Sequence, residues 1–180
     1  HRWARAQGFA TVRLSVADAL DGAKPGAEVE RCVALAHAAI ARGTSAIVFS
    51  AEGPDDPAVC EFDEIAARHR LTPAQAAQAV SVRIAEVMSA LLARTTLRRI
   101  AVAGGDSSGE VAGHLGLHAL SVAAPLAPGA PICRAWSKDP ARDGLQIVLK
   151  GGQMGRESFF GDLLHGSAVG PSSPSPALPA

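Results

Sequence analysis

The sequence lacks an excess of charge of either sign, because its 17 lysine and arginine residues balance 17 aspartate and glutamate residues. Proteins that bind nucleic acid or an anionic membrane surface usually carry a patch of positive charge. We therefore expect no nucleic acid and no membrane among the partners of this chain.

The sequence is also poor in cysteine. Its three cysteines, Cys32, Cys60 and Cys133, are far apart and form no CxxC pair. Such spacing argues against a disulfide framework and against a zinc ribbon. We expect reduced, buried thiols and a cytoplasmic location.

Long hydrophobic runs are missing too. No run approaches the roughly 18 apolar residues of a membrane-spanning helix, and the first residues lack the pattern of a signal peptide, so we expect a soluble protein. Residue 1 is His, and residues 1–8 (HRWARAQG) resemble the middle or end of a helix that stops at Gly8. This pattern suggests a piece of a longer protein.

Segments rich in β-branched and apolar residues alternate with helical patterns. These segments are residues 9–15, 44–50, 98–104, 118–123 and 145–150. The alternation predicts an α/β fold with a mostly parallel sheet flanked by helices, and with Gly-rich loops at the C-terminal ends of strands.

Two helices are well marked. The first lies within residues 26–43 and ends near Gly43; its apolar positions at helical spacing are Val29, Val33, Ala36 and Ile40. The second begins at Thr72, which can cap it, with Pro73 at the first helical position and Gln75 completing a capping box. Its predicted buried stripe is Val80, Ile84, Val87, Met88 and Leu91.

The chain divides into a domain and a tail. We expect residues 1–165 to form one domain. Residues 166–180 (GSAVGPSSPSPALPA) carry too little apolar bulk to offset the entropy of ordering. We predict that this segment is disordered.

The stretch AVAGGDSSGEVAGHLG, residues 101–116, is typical of a strand, a glycine-rich loop and a helix. In α/β proteins, backbone amides and the positive end of the helix dipole at such a place bind phosphates. The loop matches neither GxxxxGK[ST] nor GxGxxG, which disfavours a P-loop enzyme and a dehydrogenase.

Each residue of this loop has a candidate role. Gly104 and Gly105 permit close approach of a ligand, and Ser107 and Ser108 add hydroxyl donors. The charge of Asp106 would repel a phosphate unless it faces a metal, a ribose or the loop's own amides. A tight turn with a Ser or Asp helix cap explains the same residues equally well.

A second glycine-rich turn follows the last predicted strand, in LKGGQMGRESFF, residues 149–160. Lys150 ends the strand, and a flexible turn precedes an amphipathic helix. Two glycine turns at strand ends can converge on one ligand, which favours a nucleotide or phosphate site. The alternative for Lys150 is a solvated strand end, and we assign Phe159 and Phe160 to the core.

Other polar patterns have simpler explanations. Asp55 and Asp56 could hold a metal or act as bases, but Gly-Pro-Asp-Asp-Pro is ordinary turn and cap composition. His114 and His118 have the spacing of helical metal ligands, yet Gly116 interrupts the helix and no third ligand is evident.

Taken in order, these stretches resemble the C-terminal, nucleotide-binding half of the four-carbon acid sugar kinase family. The resemblance covers almost all of residues 1–165, and it implies that they form a nucleotide-binding domain truncated at its N-terminal side. Its motifs are GFATVRL, FSAEGPDDPA, AVSVRIAEVMSALLAR, RRIAVAGGDSSGEVAGHLGLHAL, APGAPICRA and VLKGGQMGRESFF.

The resemblance implies an ATP-dependent kinase that phosphorylates a hydroxyl of a four-carbon sugar acid such as threonate, erythronate or a 3-oxo-tetronate, with Mg²⁺. The nucleotide-binding residues it implies are Gly104, Gly105, Asp106, Ser107, Ser108, Lys150, Gly152, Gln153 and Gly155. Ser107 stands where Thr is common in the family, and Gln153 where several members have Asn. Both keep hydrogen-bonding character.

One family feature has no match. The N-terminal domain of the family opens with an Asp-Asp-Leu-Thr-Gly-like stretch and supplies the sugar-acid pocket and the catalytic carboxylate, and these 180 residues contain no such stretch. The resemblance thus implies a fragment that is inactive alone, whose catalytic residues and metal ligands are unassigned and which could form a homo-oligomer. Two alternatives remain: a non-catalytic nucleotide-sensing module derived from such a kinase, and a plain α/β domain whose glycine loops are only turns.

Overall fold

The computed structural model of the chain describes residues 2–24, 26–151, 156 and 158–165, without the side chains of Arg2 and Asp106. The helices in these residues are α1 (Arg2–Ala6), α2 (Val16–Ala19), α3 (Ala27–Ala41), α4 (Pro57–Cys60), α5 (Phe62–Arg68), α6 (Pro73–Arg94), α7 (Gly105–His114) and α8 (Phe159–His165). The strands are β1 (Ala10–Arg13), β2 (Ala46–Phe49), β3 (Arg99–Ala103), β4 (Leu117–Ala127), β5 (Ala130–Ser137) and β6 (Gln146–Lys150).

The first sheet consists of β1 and β2, which pair in parallel from Ala10 opposite Ala46 to Arg13 opposite Phe49. Helix α3 connects the two strands and packs on them with its apolar face. Val29, Val33 and Ala36 on that face are buried, as the helical spacing predicts. Burial of this face against Leu14 and the helix α6 forms the largest of the four buried clusters among the described residues.

The second sheet has the strand order β3-β6-β5-β4. Only β3 and β6 pair in parallel; β6 with β5 and β5 with β4 are antiparallel. The prediction of a mostly parallel sheet is therefore wrong. Its error lies in β5, which the sequence reading did not recognise as a strand.

A short connection explains the antiparallel pairing. Ala127 pairs with Ala130, so only Pro128 and Gly129 lie between β4 and β5. Gly129 has a φ of 69°, a conformation that glycine adopts without strain. Proline followed by such a glycine suits a tight turn, and two strands joined by two residues must run antiparallel.

Helix α6 joins the two halves of the fold. Its predicted capping box is present: the Gln75 amide donates to Thr72 Oγ1 at 3.2 Å, and the Thr72 amide donates to Gln75 Oε1 at 2.9 Å. Val80 packs in the cluster around the first sheet, whereas Ile84 contacts the clusters of both sheets and Met88 contacts the second. By length and composition this helix could cross a membrane; here it packs mainly against α3 and α7.

Helices α7 and α8 cover the second sheet. Val111 and Leu115 of α7 are fully buried with Ile147 of β6, and Phe159 of α8 is buried against Val148. Phe160 packs against the same cluster as Phe159, which confirms the core assignment of both rings. The tail predicted for residues 166–180 lies outside the described residues and stays a prediction.

Candidate functional site

Two of the predicted site segments begin side by side at one edge of the second sheet. Because β3 and β6 are parallel, their carboxyl ends meet there, with Ala103 opposite Lys150. The Gly104 amide continues the ladder by donating to the Lys150 carbonyl at 2.9 Å. Opposite ends of the sheet would have favoured the alternative in which both glycine segments are only turns, but the two segments start at the same end.

The segment GGDSSG is less of a loop than the sequence suggests. Helix α7 already begins at Gly105, so only Gly104 forms the turn between β3 and the helix. Gly104 has a φ of 131° and a ψ of 133°, which allow the chain to turn directly from the strand into the helix. The predicted Gly-rich loop is thus mainly the first turn and a half of α7.

The N-terminus of α7 has the electrostatics of an anion site. Gly105, Asp106 and Ser107 are its first three residues, and the first amides of an α-helix have no carbonyl partner within the helix. The aligned peptide dipoles also leave a partial positive charge at this end. A phosphate group placed beyond Gly104 would accept hydrogen bonds from these amides and would be attracted by this partial positive charge.

The two serines of the segment differ in their surroundings. Ser108 donates its hydroxyl proton to the Gly104 carbonyl at 2.6 Å and so stabilises the turn. Ser107 Oγ lies 3.3 Å from Ser81 Oγ of α6. Ser81 is a buried polar residue that sequence reasoning missed. In the sequence, the position of Ser81 among the apolar residues of α6 could have indicated that its side chain is buried.

Lys150 sits at the same sheet edge, with its side chain on the face that α8 covers. Its ammonium donates to the Gly151 carbonyl at 3.1 Å and lies 5.6 Å from the centre of the Phe159 ring. Partial burial lowers the pKa of this ammonium, because burial disfavours the charged form. A phosphate nearby would offset that cost.

Several predicted residues cannot be placed. Gly152, Gln153 and Gly155 lie outside the described residues, and so does the side chain of Asp106, whose backbone belongs to α7. Their assignment to the nucleotide stays a prediction.

Asp56 is structural. It accepts both guanidinium hydrogen bonds of Arg13, at 3.0 and 2.6 Å, and the amides of Glu52 and Ala58, at 2.8 and 2.9 Å. The hydrogen bonds from Arg13 are the main cause that holds its pKa well below the ordinary range of an aspartate. The carboxylate thus ties β1 to the start of α4, while Asp55 is exposed.

A buried carboxylate that sequence reasoning missed lies at the end of β1. Glu28 of α3 accepts from the Ser15 amide at 2.7 Å and from Arg31 Nε at 2.7 Å, and Arg31 is the first cause of its lowered pKa. The i, i+3 spacing of Glu28 and Arg31 in the sequence could have indicated that these two side chains pair. Burial raises the pKa of the neighbouring Cys32 thiol to about 11.

The structure also tests the predictions made for the other cysteines and for the candidate metal ligands. Cys60 is exposed and Cys133 is partly buried, so the prediction of buried thiols holds only for Cys32. Within the part of the chain that the structure describes, no three His, Cys, Asp or Glu side chains come close enough together to hold a metal ion. His114 ends α7 and His118 lies in β4.

The fold and this sheet edge together define an α/β domain with a helix N-terminus suited to a phosphate group. The family model described as the nucleotide-binding C-terminal domain matches residues 1–160. The chain belongs to this family, the C-terminal domain of the four-carbon acid sugar kinases.

Named relatives carry kinase activities. The chain is 57% identical over 168 residues to a 3-oxo-isoapionate kinase of Paraburkholderia graminis, a match that covers 93% of this chain and 36% of the relative. It is 33% identical over 136 residues to a 3-oxo-tetronate kinase of Cupriavidus necator, covering 73% of this chain and 29% of the relative. The chain thus spans about a third of the length of these relatives.

A solved structure supports the fold. The crystal structure of a Haemophilus influenzae protein of the DUF1537 family matches 88% of this chain and 35% of its own, with a TM-score of 0.68 and 21% identity. At that level of identity the likeness concerns the fold alone.

Proposed function

We propose that this chain is the ATP-binding part of a kinase that phosphorylates a hydroxyl of a sugar acid of the four-carbon, 3-oxo-tetronate type. The observation that carries the proposal is the meeting of the α7 N-terminus with the carboxyl end of β6 at one sheet edge. The names of the two relatives support it, because both describe kinases of 3-oxo acids.

The proposed division of labour follows from the chemistry of phosphoryl transfer. That reaction requires charge stabilisation at the phosphates and an acceptor oxygen held in line, with little covalent participation by the protein. In our proposal the amides of Gly105 to Ser107 bind the phosphates and the Lys150 ammonium neutralises their charge. Mg²⁺ would accompany the nucleotide and offset part of its negative charge.

In this proposal, the sugar acid that accepts the phosphoryl group binds outside this chain. The sugar-acid pocket and the catalytic carboxylate would lie in the part of the relatives' length that this chain does not span. We further propose a cytoplasmic enzyme with a nucleotide and a sugar acid as its small-molecule partners; assembly with copies of itself stays a prediction. A nucleotide sensor remains the alternative, and it would bind ADP without any phosphoryl transfer in the full-length protein.

Calorimetric titration with ADP and MgCl₂ tests the proposal. Gly105→Asp places a carboxylate at the first position of α7, where it would repel a phosphate, and should weaken ADP binding at least tenfold. Gly113→Asp is the matched control, since Gly113 lies exposed near the other end of the same helix. It should leave the ADP affinity unchanged, and thermal melts would verify that both variants fold.

Two outcomes would reject the proposal. One is a wild-type protein that binds no ADP. The other is an affinity that Gly105→Asp leaves unchanged.

A further inference from the structure

A pocket at the carboxyl edge of the first sheet has no role in the function proposed above. Its volume is about 300 Å³. It is lined by residues that follow β1 and β2 and by residues of α4, α5 and α6, among them Val16, Ser50, Ala51, Phe62, Asp63 and Val80.

The walls of this pocket suit a flat heterocycle. Its volume lies at the lower end of the range for small-molecule sites, roughly 300 to 1,000 Å³. Phe62 offers an aromatic ring, and any of the nucleobases can stack on such a ring. Asp63 is exposed at the pocket and can accept hydrogen bonds from an amino group.

The pocket and the phosphate site both border on α6. Val80 lines the pocket, and the next residue, Ser81, meets Ser107 in the first turn of α7 at 3.3 Å. Both places therefore flank one turn of α6, and each lies beyond the carboxyl ends of a pair of parallel strands. Ligands of α/β proteins typically bind in the crevice outside such strand ends.

We propose that this pocket receives the adenine base of the nucleotide whose phosphates lie at the N-terminus of α7. One ligand then spans the edges of both sheets. Phe62 stacks on the base, and Asp63 accepts a hydrogen bond from its amino group. This inference rests on the proposed function, because it concerns the same nucleotide.

Titrations with two ligands separate the base from the phosphates. ADP carries both, whereas inorganic tripolyphosphate carries phosphates alone. Ala51→Phe fills the pocket with an aromatic ring and should weaken ADP binding at least tenfold while leaving tripolyphosphate binding within twofold. Ala38→Phe makes the same change at an exposed position of α3 and should alter neither affinity.

A milder variant guards against misfolding of Ala51→Phe. Because Asp63 is exposed on α5, Asp63→Ala should leave the fold intact. It should weaken ADP binding about fivefold, the scale of one hydrogen bond, and leave tripolyphosphate binding unchanged.

The outcomes distinguish the two proposals. If the wild-type protein binds neither ligand, the proposed function fails and the pocket assignment with it. If it binds both ligands with equal affinity, or if Ala51→Phe and Asp63→Ala leave ADP binding unchanged, the base lies elsewhere while the phosphate site stands. A parallel loss of both ligands in Ala51→Phe and Asp63→Ala would also overturn the pocket assignment.

Discussion

At the scale of single residues, Gly104 carries the most restricted backbone of the candidate site. Its φ of 131° lies where side chains other than hydrogen are strained, and a Cβ there would lie 3.5 Å from Ser107 Oγ. We expect Gly104→Ala to lower the free energy of unfolding by about 1–3 kcal/mol, measured by urea denaturation.

A glycine of the same segment supplies the control. Gly109 lies within α7, and a Cβ there would meet nothing within 4 Å. Gly109→Ala should therefore raise the free energy of unfolding by about 0.5–1 kcal/mol through helix propensity. Equal effects of the two substitutions would show that the turn at Gly104 is not strained by a side chain.

Lys150 tests the electrostatic part of the phosphate site. If its ammonium meets a phosphate, Lys150→Ala should weaken ADP binding by about 1.5–3 kcal/mol, the usual contribution of a charged hydrogen bond. The exposed Lys138 provides the control, since Lys138→Ala should leave the affinity unchanged. Calorimetric affinities that agree between Lys150→Ala and the wild-type protein would place Lys150 outside the site.

Asp56 gives the fold a dependence on pH. Its pKa is lowered in the folded protein, mainly by the hydrogen bonds from Arg13, so the ionised carboxylate stabilises the fold at neutral pH. This contribution diminishes as the pH falls below about 4, the ordinary pKa of an aspartate, toward the lower pKa of the folded state.

Asp56→Asn should therefore lower the free energy of unfolding by about 1–2 kcal/mol at pH 7. A larger effect is not expected, because the Arg13 side chain is partly exposed and solvent screens its charge. The difference from the wild-type protein should shrink in denaturation experiments at pH 3. The adjacent, exposed Asp55→Asn should change stability by less than about 0.5 kcal/mol. A difference that grows on acidification would refute this role of Asp56.

At the scale of elements, α1 and α8 are in close contact at Gly161. Gly161 of α8 lies directly against the Trp3 ring, where an added Cβ would overlap the ring. We expect Gly161→Ala to destabilise the protein by about 1–2 kcal/mol, because overpacking outweighs the gain in helix propensity. Thermal and urea denaturation would measure the change.

Two comparisons make this prediction specific. Gly113→Ala in α7, where a Cβ meets nothing within 4 Å, should be neutral or stabilising. The cost of Gly161→Ala should also fall in a Trp3→Leu background, because the overlapping ring is gone. An undiminished cost in that background would exclude the ring contact as its cause.

Elements with a local chemical signal could be predicted from the sequence. The capping box of α6 and the apolar face of α3 depend on residues close together in the chain, and both are present. The strand β5 and the early start of α7 were missed. β5 contains Pro131, and its pairing partners lie in β4 and β6 rather than in its own segment. The glycines and serines of α7 have low helix propensity, but the packing of α7 on α6 and β3 overrides that propensity.

At the scale of the whole molecule, α6 links the buried clusters of the two sheets, because its residues pack in both. Sequence reasoning noted that two glycine turns at strand ends can converge on one ligand, and the segments at Gly104 and Lys150 do begin at one sheet edge. It could not predict the contact between Ser81 and Ser107, which depends on how α6 packs against α7. The pocket beside Val80 escaped prediction for the same reason, since its residues come from five segments.

The central claim is that nucleotide phosphates bind at the N-terminus of α7, beside the end of β6. An amide nitrogen–proton correlation spectrum recorded during titration with ADP and MgCl₂ tests it most directly, and a chain of 18.3 kDa is suited to that method. The account predicts that the largest shifts fall on the amides from Gly104 to Ser108 and on Gly151. Saturable binding that leaves these amides unmoved and shifts residues of α1 and α8 instead would contradict it.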